Sequence, residues 1–321
     1  MIDLIDIRKK NLTDIEVNTI ILKSGLVLRF DQDGNKCYEN GKLKDLQGGI
    51  FVSIDKLNNL KIVGSLHKYH SFLATGKATN YDCFTLKQAK QTILKLIENK
   101  GFEPLNAYIC LYEIGINLNF EFDVIKILNE VYSIGVGSME RKMYVHPRFK
   151  NERHRTTEHH RDIKTFYKMY DKIFEMKQNR GTPPEGLNIL RMEAVHKKVK
   201  FDLLNFFSPE NLEKISSVFF SKWNDLNLNF NINAPKGTHT SKIDLAKELT
   251  RYGTISTKAK YDKLYTDLAI SQKIHRTTIE FIKRWESEKY TYKIEKTPIY
   301  LIWAKVYNVQ YQIHKKNISA D

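Results

Sequence analysis

Two short segments carry side chains able to act on a phosphodiester. Lys168-Met169-Tyr170-Asp171-Lys172 sets a tyrosine hydroxyl between two lysines, and Leu190-Arg191-Met192-Glu193 sets a carboxylate beside an arginine in a strand-like run. A phenol can attack phosphorus once its proton is drawn off. A carboxylate can hold a divalent cation, and Lys and Arg can offset the charge that develops. Free phenol titrates near pH ~10, so Tyr170 needs Lys168, Lys172 or a metal close by to favour phenolate. Tyr167 is a rival hydroxyl: it shares a helical face with Tyr170 but opposes it on a strand.

The rest of the chain points to the same kind of partner. Lys and Arg number 52 against 37 Asp and Glu, a net charge of +15 and a pI near 9.4. The basic residues are spread along the chain rather than gathered in a tail, which suits a folded surface that tracks a phosphate backbone. A composition rich in Lys, Asn, Ile and Tyr, of the kind AT-rich coding produces, accounts for part of the same excess. The 321 residues fit one large domain or two, and a 41% hydrophobic fraction supports a proper core. No window approaches the ~18 apolar residues of a membrane span. The stretch 1–7 alternates and carries acids, unlike a signal peptide. Cys37, Cys83 and Cys110 form no Cys-x-x-Cys, so neither a zinc knuckle nor a disulfide framework is expected. These features predict a cytoplasmic protein.

The elements that must position these side chains can be read in part. Residues 1–75 read as β-rich, with strands near 17–21, 25–30 and 60–63 and a hairpin turn at Asp33-Gly34-Asn35. Thr85 caps a helix that Gly101 closes, with Leu86, Ala89, Ile93 and Ile97 on one stripe. Residues 108–122 alternate strongly. Cys110, Tyr112, Ile114, Ile116, Leu118 and Phe120 share one face; Leu111, Glu113, Gly115, Asn117, Asn119 and Glu121 share the other, a solvent face or a site. A helix is expected over 123–132, then a polar connector over 138–162 with His146, His154, His159 and His160. Residues 188–199 read as a strand with Arg191 and Glu193 opposite Leu190 and Met192. The segment 163–176 fits helical spacing through Phe166, Met169, Tyr170, Ile173 and Phe174, and periodicity alone favours helix there. The Asn-rich stretch 224–240 reads as a linker between a domain over 1–223 and a mainly helical module over 241–321. Helices are expected at 241–251, 257–268 and 277–289, with 297–309 strand or helix.

Four segments occur in a telling order: Gly64-Ser65-Leu66-His67-Lys68-Tyr69-His70, Leu111-Tyr112-Glu113-Ile114-Gly115-Ile116-Asn117, the Tyr-Asp-Lys element and the Arg-Met-Glu element. Together they resemble phage and plasmid rolling-circle replication initiators of the filamentous-phage gene II-like type, over roughly residues 55–205. The resemblance implies an α+β fold, an antiparallel sheet flanked by helices with the site on a sheet face. It implies an endonuclease that nicks one DNA strand, its tyrosine staying joined to the 5′ end while Mg²⁺ or Mn²⁺ polarises the phosphate oxygens. Single-stranded DNA and replication-origin DNA would be the partners, with a host helicase as a further one. It also places the Tyr-Asp-Lys element at a strand end, which pulls 165–172 toward strand. The His-hydrophobe-His strand of the wider superfamily is absent, so metal binding would fall to other residues.

The candidate catalytic set is therefore Tyr170, Lys172, Lys168 and Arg191. The candidate metal set is Glu113 and Glu193, with Asn117 and His67, because hard cations take oxygen ligands. Cross-strand salt bridges are the alternative for the two acids, and a simply exposed ring is the alternative for His67. Candidate DNA contacts are Lys68, Arg153, Arg155 and Arg161, with Lys273 and Arg276 at Ser271–Thr278, where a turn leads into a helix as in a helix-turn-helix. The competing readings of the module are a basic structural bundle or a partner-docking surface. For the whole chain the alternative is a non-catalytic DNA- or RNA-binding protein. The ordered Arg…His-x-x-Arg…Tyr set of tyrosine recombinases is not found.

Overall fold

The computed structural model describes residues 1–30, 32–136, 139–145, 152–157, 163–179, 181–296 and 298–318, the side chains at 231, 294–296, 298–300 and 314–318 excepted. The first half runs β1 (Ile2–Lys9), α1 (Asp14–Ser24), β2 (Val27–Phe30), β3 (Lys36–Glu39), β4 (Phe51–Ile54), β5 (Leu60–Ser65), α2 (Leu66–Thr75), α3 (Leu86–Lys100) and β6 (Ala107–Phe120). Next come α4 (Ile125–Glu130), β7 (Val131–Ile134), β8 (Arg141–Val145), β9 (His154–Thr157), β10 (Thr165–Asp171), α5 (Lys172–Gln178) and β11 (Asn188–Asp202). The chain ends with α6 (Leu203–Phe206), α7 (Pro209–Asn224), β12 (Leu226–Leu228), β13 (Phe230–Asn233), α8 (Thr240–Thr266), α9 (Gln272–Glu288), β14 (Lys293–Lys296) and α10 (Pro298–Ile318).

Among the described residues, twelve strands form one sheet in the order β12-β7-β8-β9-β10-β11-β6-β1-β5-β4-β3-β2. The pairings are antiparallel, so this is an α+β protein of the expected kind. The long strands β6 and β11 lie at the centre because one face of each is almost wholly apolar. Ile109, Ile114, Ile116, Met192 and Ala194 pack with Ile20, Ile93, Leu96, Phe206 and Trp223 in the main core. Burying side chains of this size contributes roughly 1.5–3 kcal/mol each. The opposite face of the same strands carries Glu113, Asn117, Arg191 and Glu193.

Local signals explain several boundaries. Thr85 and Gln88 form a capping box on α3, and Gly101 takes the left-handed conformation that ends it. The turn through Gly34 joins β2 to β3 as a hairpin. Other expectations are corrected. Residues 14–24 are a helix, not a strand: Thr13 and Glu16 form a capping box there, a signal stronger than the short apolar run. The 138–162 connector carries β8 and β9. The segment 163–176 splits into strand β10 and helix α5, so the helical spacing of Ile173 and Phe174 is real but begins only at Lys172. The β6 alternation breaks at Cys110, where a bulge against β1 leaves Cys110 outside the core row.

The C-terminal third is arranged around two apolar clusters. Ile232, Leu245, Leu249, Phe281, Trp285 and Tyr292 form a small cluster of their own. The strands β13 and β14 close it as a two-stranded ribbon. Helix α10 instead returns to the main core through Trp303 and Tyr307. The stretch 224–240, expected as a linker, holds β12 in the main sheet and β13 in the ribbon. The long helix α8 is broken at Gly253, whose φ of 72° lies outside helical range.

Candidate active site

The sheet face opposite the core gathers a dense polar network. Lys168 stands opposite Glu193, and Tyr170 opposite Arg191, in the β10–β11 ladder. Lys168 Nζ lies 2.9 Å from Glu113 Oε2 and 2.5 Å from Glu193 Oε2. Tyr170 donates its hydroxyl to Glu193 Oε1 at 3.0 Å. Arg191 uses three nitrogens: Nε to Glu193 Oε1 at 2.8 Å, Nη2 to Asp3 Oδ2 at 2.6 Å and Nη1 to Asn117 Oδ1 at 3.1 Å. Asp3 also accepts from Ser65 Oγ and from Asn80 Nδ2. Gly115 faces Glu193 across β6–β11, and an added Cβ there would meet Glu193 Cγ at 2.8 Å. The glycine makes room for the network.

The Tyr-Asp-Lys element has a simple local explanation. Tyr170 is the penultimate residue of β10. Asp171 caps α5, its Oδ1 accepting from Phe174 N at 2.9 Å, and Lys172 is the first helical residue. Arg153 fixes this corner by donating to Asp171 at 2.6 Å and to both oxygens of Asp123.

Burial sets the protonation states. Glu113 is pushed up to about 8 by burial and by the charge of Glu193. Burial also acts on Glu193, but Lys168 and Arg191 outweigh it and hold this carboxyl well below its usual range. Burial, with Glu193 nearby, raises the Tyr170 phenol well above 10, so it rests protonated. Asp3 is held low against its burial by Arg191 and His67.

The sequence-derived residues fall into three groups. Tyr170, Lys168, Arg191, Glu113 and Glu193 meet in one network. Asn117 braces it, its oxygen on Arg191 and its amide on the backbone carbonyls of Asn80 and Asp82 at 3.1 Å each. His67 and Lys172 sit at its edges. His67 is buried, not exposed; it stacks on Phe84 and meets Asp82 at 2.6 Å. Lys172 pairs with Glu175 at 2.8 Å, its Nζ 6.0 Å from the Tyr170 ring. The rival Tyr167 lies in the core, edge-on to Trp223.

Of the expected DNA contacts, Arg153 is clamped by two aspartates, and Arg155 donates to the Leu128 carbonyl. Lys68 is half-buried in the first turn of α2. Lys273 and Arg276 are exposed on α9, Arg276 beside Glu280. Arg161, His146, His159 and His160 lie outside the described residues.

Two participants were missed by sequence reading. Asp3 completes a buried triad with Glu113 and Glu193, each offering an oxygen within 4.8 Å of the others. Its only sequence signal is an acid among apolar residues in an alternating strand. His154 lies in β9 rather than a loop, and its ring stacks on Tyr170 at 4.9 Å. The triad could hold a divalent cation, being all-oxygen and including a carboxyl that resists ionisation when left to Lys168 alone.

No family model and no curated protein matches the chain. Among solved structures, a rolling circle replication initiator protein from Geobacillus stearothermophilus aligns with a TM-score of 0.39 and 8% identity, over 75% of this chain and 89% of that one. No helix among the described residues is long and apolar enough to cross a membrane.

Proposed function

We propose that this protein is a rolling-circle-type replication initiator that nicks and rejoins one DNA strand. The observation that carries the reading is the buried constellation of Tyr170, Glu193, Glu113, Asp3, Lys168 and Arg191 on the sheet face. A buried charge network rarely stabilises a fold better than apolar packing would. Its place across β10, β11, β6 and β1, in the middle of the sheet, therefore supports chemistry rather than stability. The order of the four sequence segments supports the same reading.

In this mechanism the Tyr170 oxygen forms a bond to phosphorus as the bond to the 3′ oxygen breaks. The phenol proton leaves along its hydrogen bond to the Glu193 carboxylate and passes on to water, and water protonates the leaving 3′ oxygen to a hydroxyl. The product is a 5′-phosphotyrosine, and rejoining reverses the step. Arg191 and Lys168 offset the charge gathered on the phosphate oxygens. Mg²⁺ or Mn²⁺ held by Asp3, Glu113 and Glu193 would polarise those oxygens. Single-stranded and origin DNA are the proposed substrates. The α8–α9 module would hold origin duplex through Lys273 and Arg276, with a host helicase as the alternative occupant.

A second reading is favoured by the burial of Tyr170, which is 7% exposed and stacked on His154. On this reading the tyrosine orients Glu193 and does not attack. Incubation with labelled circular single-stranded DNA and Mn²⁺, followed by a denaturing gel, tests the proposal. A covalent adduct is expected from the wild type. Its absence, with binding intact, favours a non-catalytic DNA- or RNA-binding protein.

A further inference from the structure

A groove of about 770 Å³ lies at the far end of the same strands, lined in part by Arg8, Lys9, Lys10, Tyr108, Cys110 and Lys200. It opens around the end of the sheet, with Lys9, Glu16 and Val199 on the core side and Arg8 and Tyr108 on the network's side. Ile7 and Ile109 face the core, so Arg8 and Tyr108 fall on the face that also carries Glu113. From Tyr108 to Glu113 the strand runs roughly 15 Å.

The groove is cationic and aromatic together. Asp6 offsets Arg8, and Glu16 meets Lys9 at 2.6 Å. Lys10 and Lys200 are exposed and carry no ion pair among the described residues. Lys200 Nζ lies 4.8 Å from the centre of the Tyr108 ring. One step toward the carboxylates, Lys197 Nζ lies 4.6 Å from the Phe166 ring. Irregular backbone shapes the rim: Cys110 is bulged, extra residues interrupt the β11–β6 register between Lys197 and Phe201, and Asn11, Asn106 and Lys198 all have φ between 55° and 60°. Left-handed backbone at non-glycine residues costs free energy and persists where the surroundings impose it.

We infer that this groove takes the single-stranded DNA that leads to the carboxylate site. One base stacks on Tyr108, and Lys10 and Lys200 hold the neighbouring phosphates. Lys200 leaves the ring face as the base arrives and moves to the backbone. Stacking is indifferent to sequence because every base has a π face, and lysine charges bind any phosphate. The inference rests on the nicking reading for the direction of the strand, but the binding itself needs no metal and no chemistry.

The test is fluorescence anisotropy with a short fluorescein-labelled oligothymidylate in EDTA across a salt series, using the full chain. Tyr108→Ala should weaken binding about tenfold, and Tyr108→Phe, which keeps the ring, should bind like the wild type. Lys10→Ala and Lys200→Ala should each reduce the salt slope by about 0.7. Lys200→Glu, at an exposed position, gives a charge test that does not disturb the strand core. Wild-type affinity and slope in Tyr108→Ala, Lys200→Ala and Lys200→Glu would overturn the inference. So would a Tyr108-dependent preference for oligouridylate or duplex. Adduct formation is scored separately. Groove variants that lose affinity while wild type forms no adduct would keep the groove and remove the nicking reading. An adduct with unaffected groove variants would do the reverse.

Discussion

Tyr170 on β10 donates its hydroxyl to Glu193 on β11 at 3.0 Å, reaching diagonally across the ladder because its direct partner is Arg191. The bond joins a buried phenol to a carboxylate that two cations already hold ionised. Tyr170→Phe should abolish the covalent adduct. It should lower stability by only about 1 kcal/mol, since Glu193 Oε1 still accepts from Arg191. The adduct gel and a urea melt check both. Survival of the adduct would make Tyr170 an orienting residue.

Glu113 should give stability a distinctive pH dependence. Its folded value is about 8 against 4.5 as a free side chain, so the folded protein holds this proton more tightly than the unfolded chain. The stabilising contribution is complete below about 4.5 and is lost as pH rises toward about 8. Burial depresses the N-terminal amine and His67, which act with the opposite sign in the same range. The difference between wild type and Glu113→Gln isolates the carboxyl: its advantage from protonation should shrink from pH 5 to pH 8 in parallel urea melts. A difference that does not change over this window would contradict the assignment.

Metal binding offers an independent check on the same group. Mn²⁺ entering the triad near neutral pH should release a proton from Glu113, measurable by calorimetry in buffers of different ionisation enthalpy. Asp3→Asn should weaken Mn²⁺ binding roughly tenfold or more while leaving oligothymidylate binding in EDTA near that of the wild type. Unchanged Mn²⁺ affinity would remove Asp3 from the ligand set.

Gly115→Ala should damage the site from beneath. The new Cβ would stand 2.7 Å from the Met192 carbonyl, 2.8 Å from Glu193 Cγ and 3.3 Å from Arg191 Cζ. Backbone on one side leaves little room to yield, so destabilisation of about 1–3 kcal/mol is expected with loss of adduct. Wild-type stability and activity in this variant would show that the strands part more easily than the packing implies.

The module is best probed by point substitution. A truncation near Asn233 would also remove α10, and with it Trp303 and Tyr307 of the main core. That fragment should therefore unfold at lower denaturant than the full chain, or fail to fold. Lys273→Ala with Arg276→Ala should weaken origin-duplex binding and flatten its salt dependence, without changing cleavage of single-stranded DNA. Equal duplex binding by wild type and variant across the salt series would leave α9 with a structural role.

The parts of the structure legible in the sequence are those with short-range causes. The strand alternations read over 108–122 and 188–199, the Thr85 cap and the Gly34 turn act within a few residues; the cap and the turn appear as read, and the alternation holds from Tyr112 to Phe120 and from Leu190 to Ala194 but not at Cys110. The alternation also brought Glu113 and Glu193 to one face of two strands, because a period of two leaves only two faces to choose from. Where local signals compete, the reading failed. Residues 17–21 read as a short apolar run until the Thr13 cap is weighed, and 163–176 carries helical spacing that only its second half uses.

Tertiary structure alone decided the rest. Asp3 lies 110 residues from Glu113 and 190 from Glu193 in the chain, and they meet because β1 pairs beside β6 and β6 beside β11. Nothing near Asp3 in the sequence records that meeting. The lysines, too, were separated only by folding: Lys168 faces two carboxylates, while Lys172, four residues on, turns into a helix and pairs with Glu175. The sequence determined which residue types were present and which local faces they shared. Strand order and register determined which carboxylates lost water and which cation stood between them, and those long-range terms set the protonation of the site.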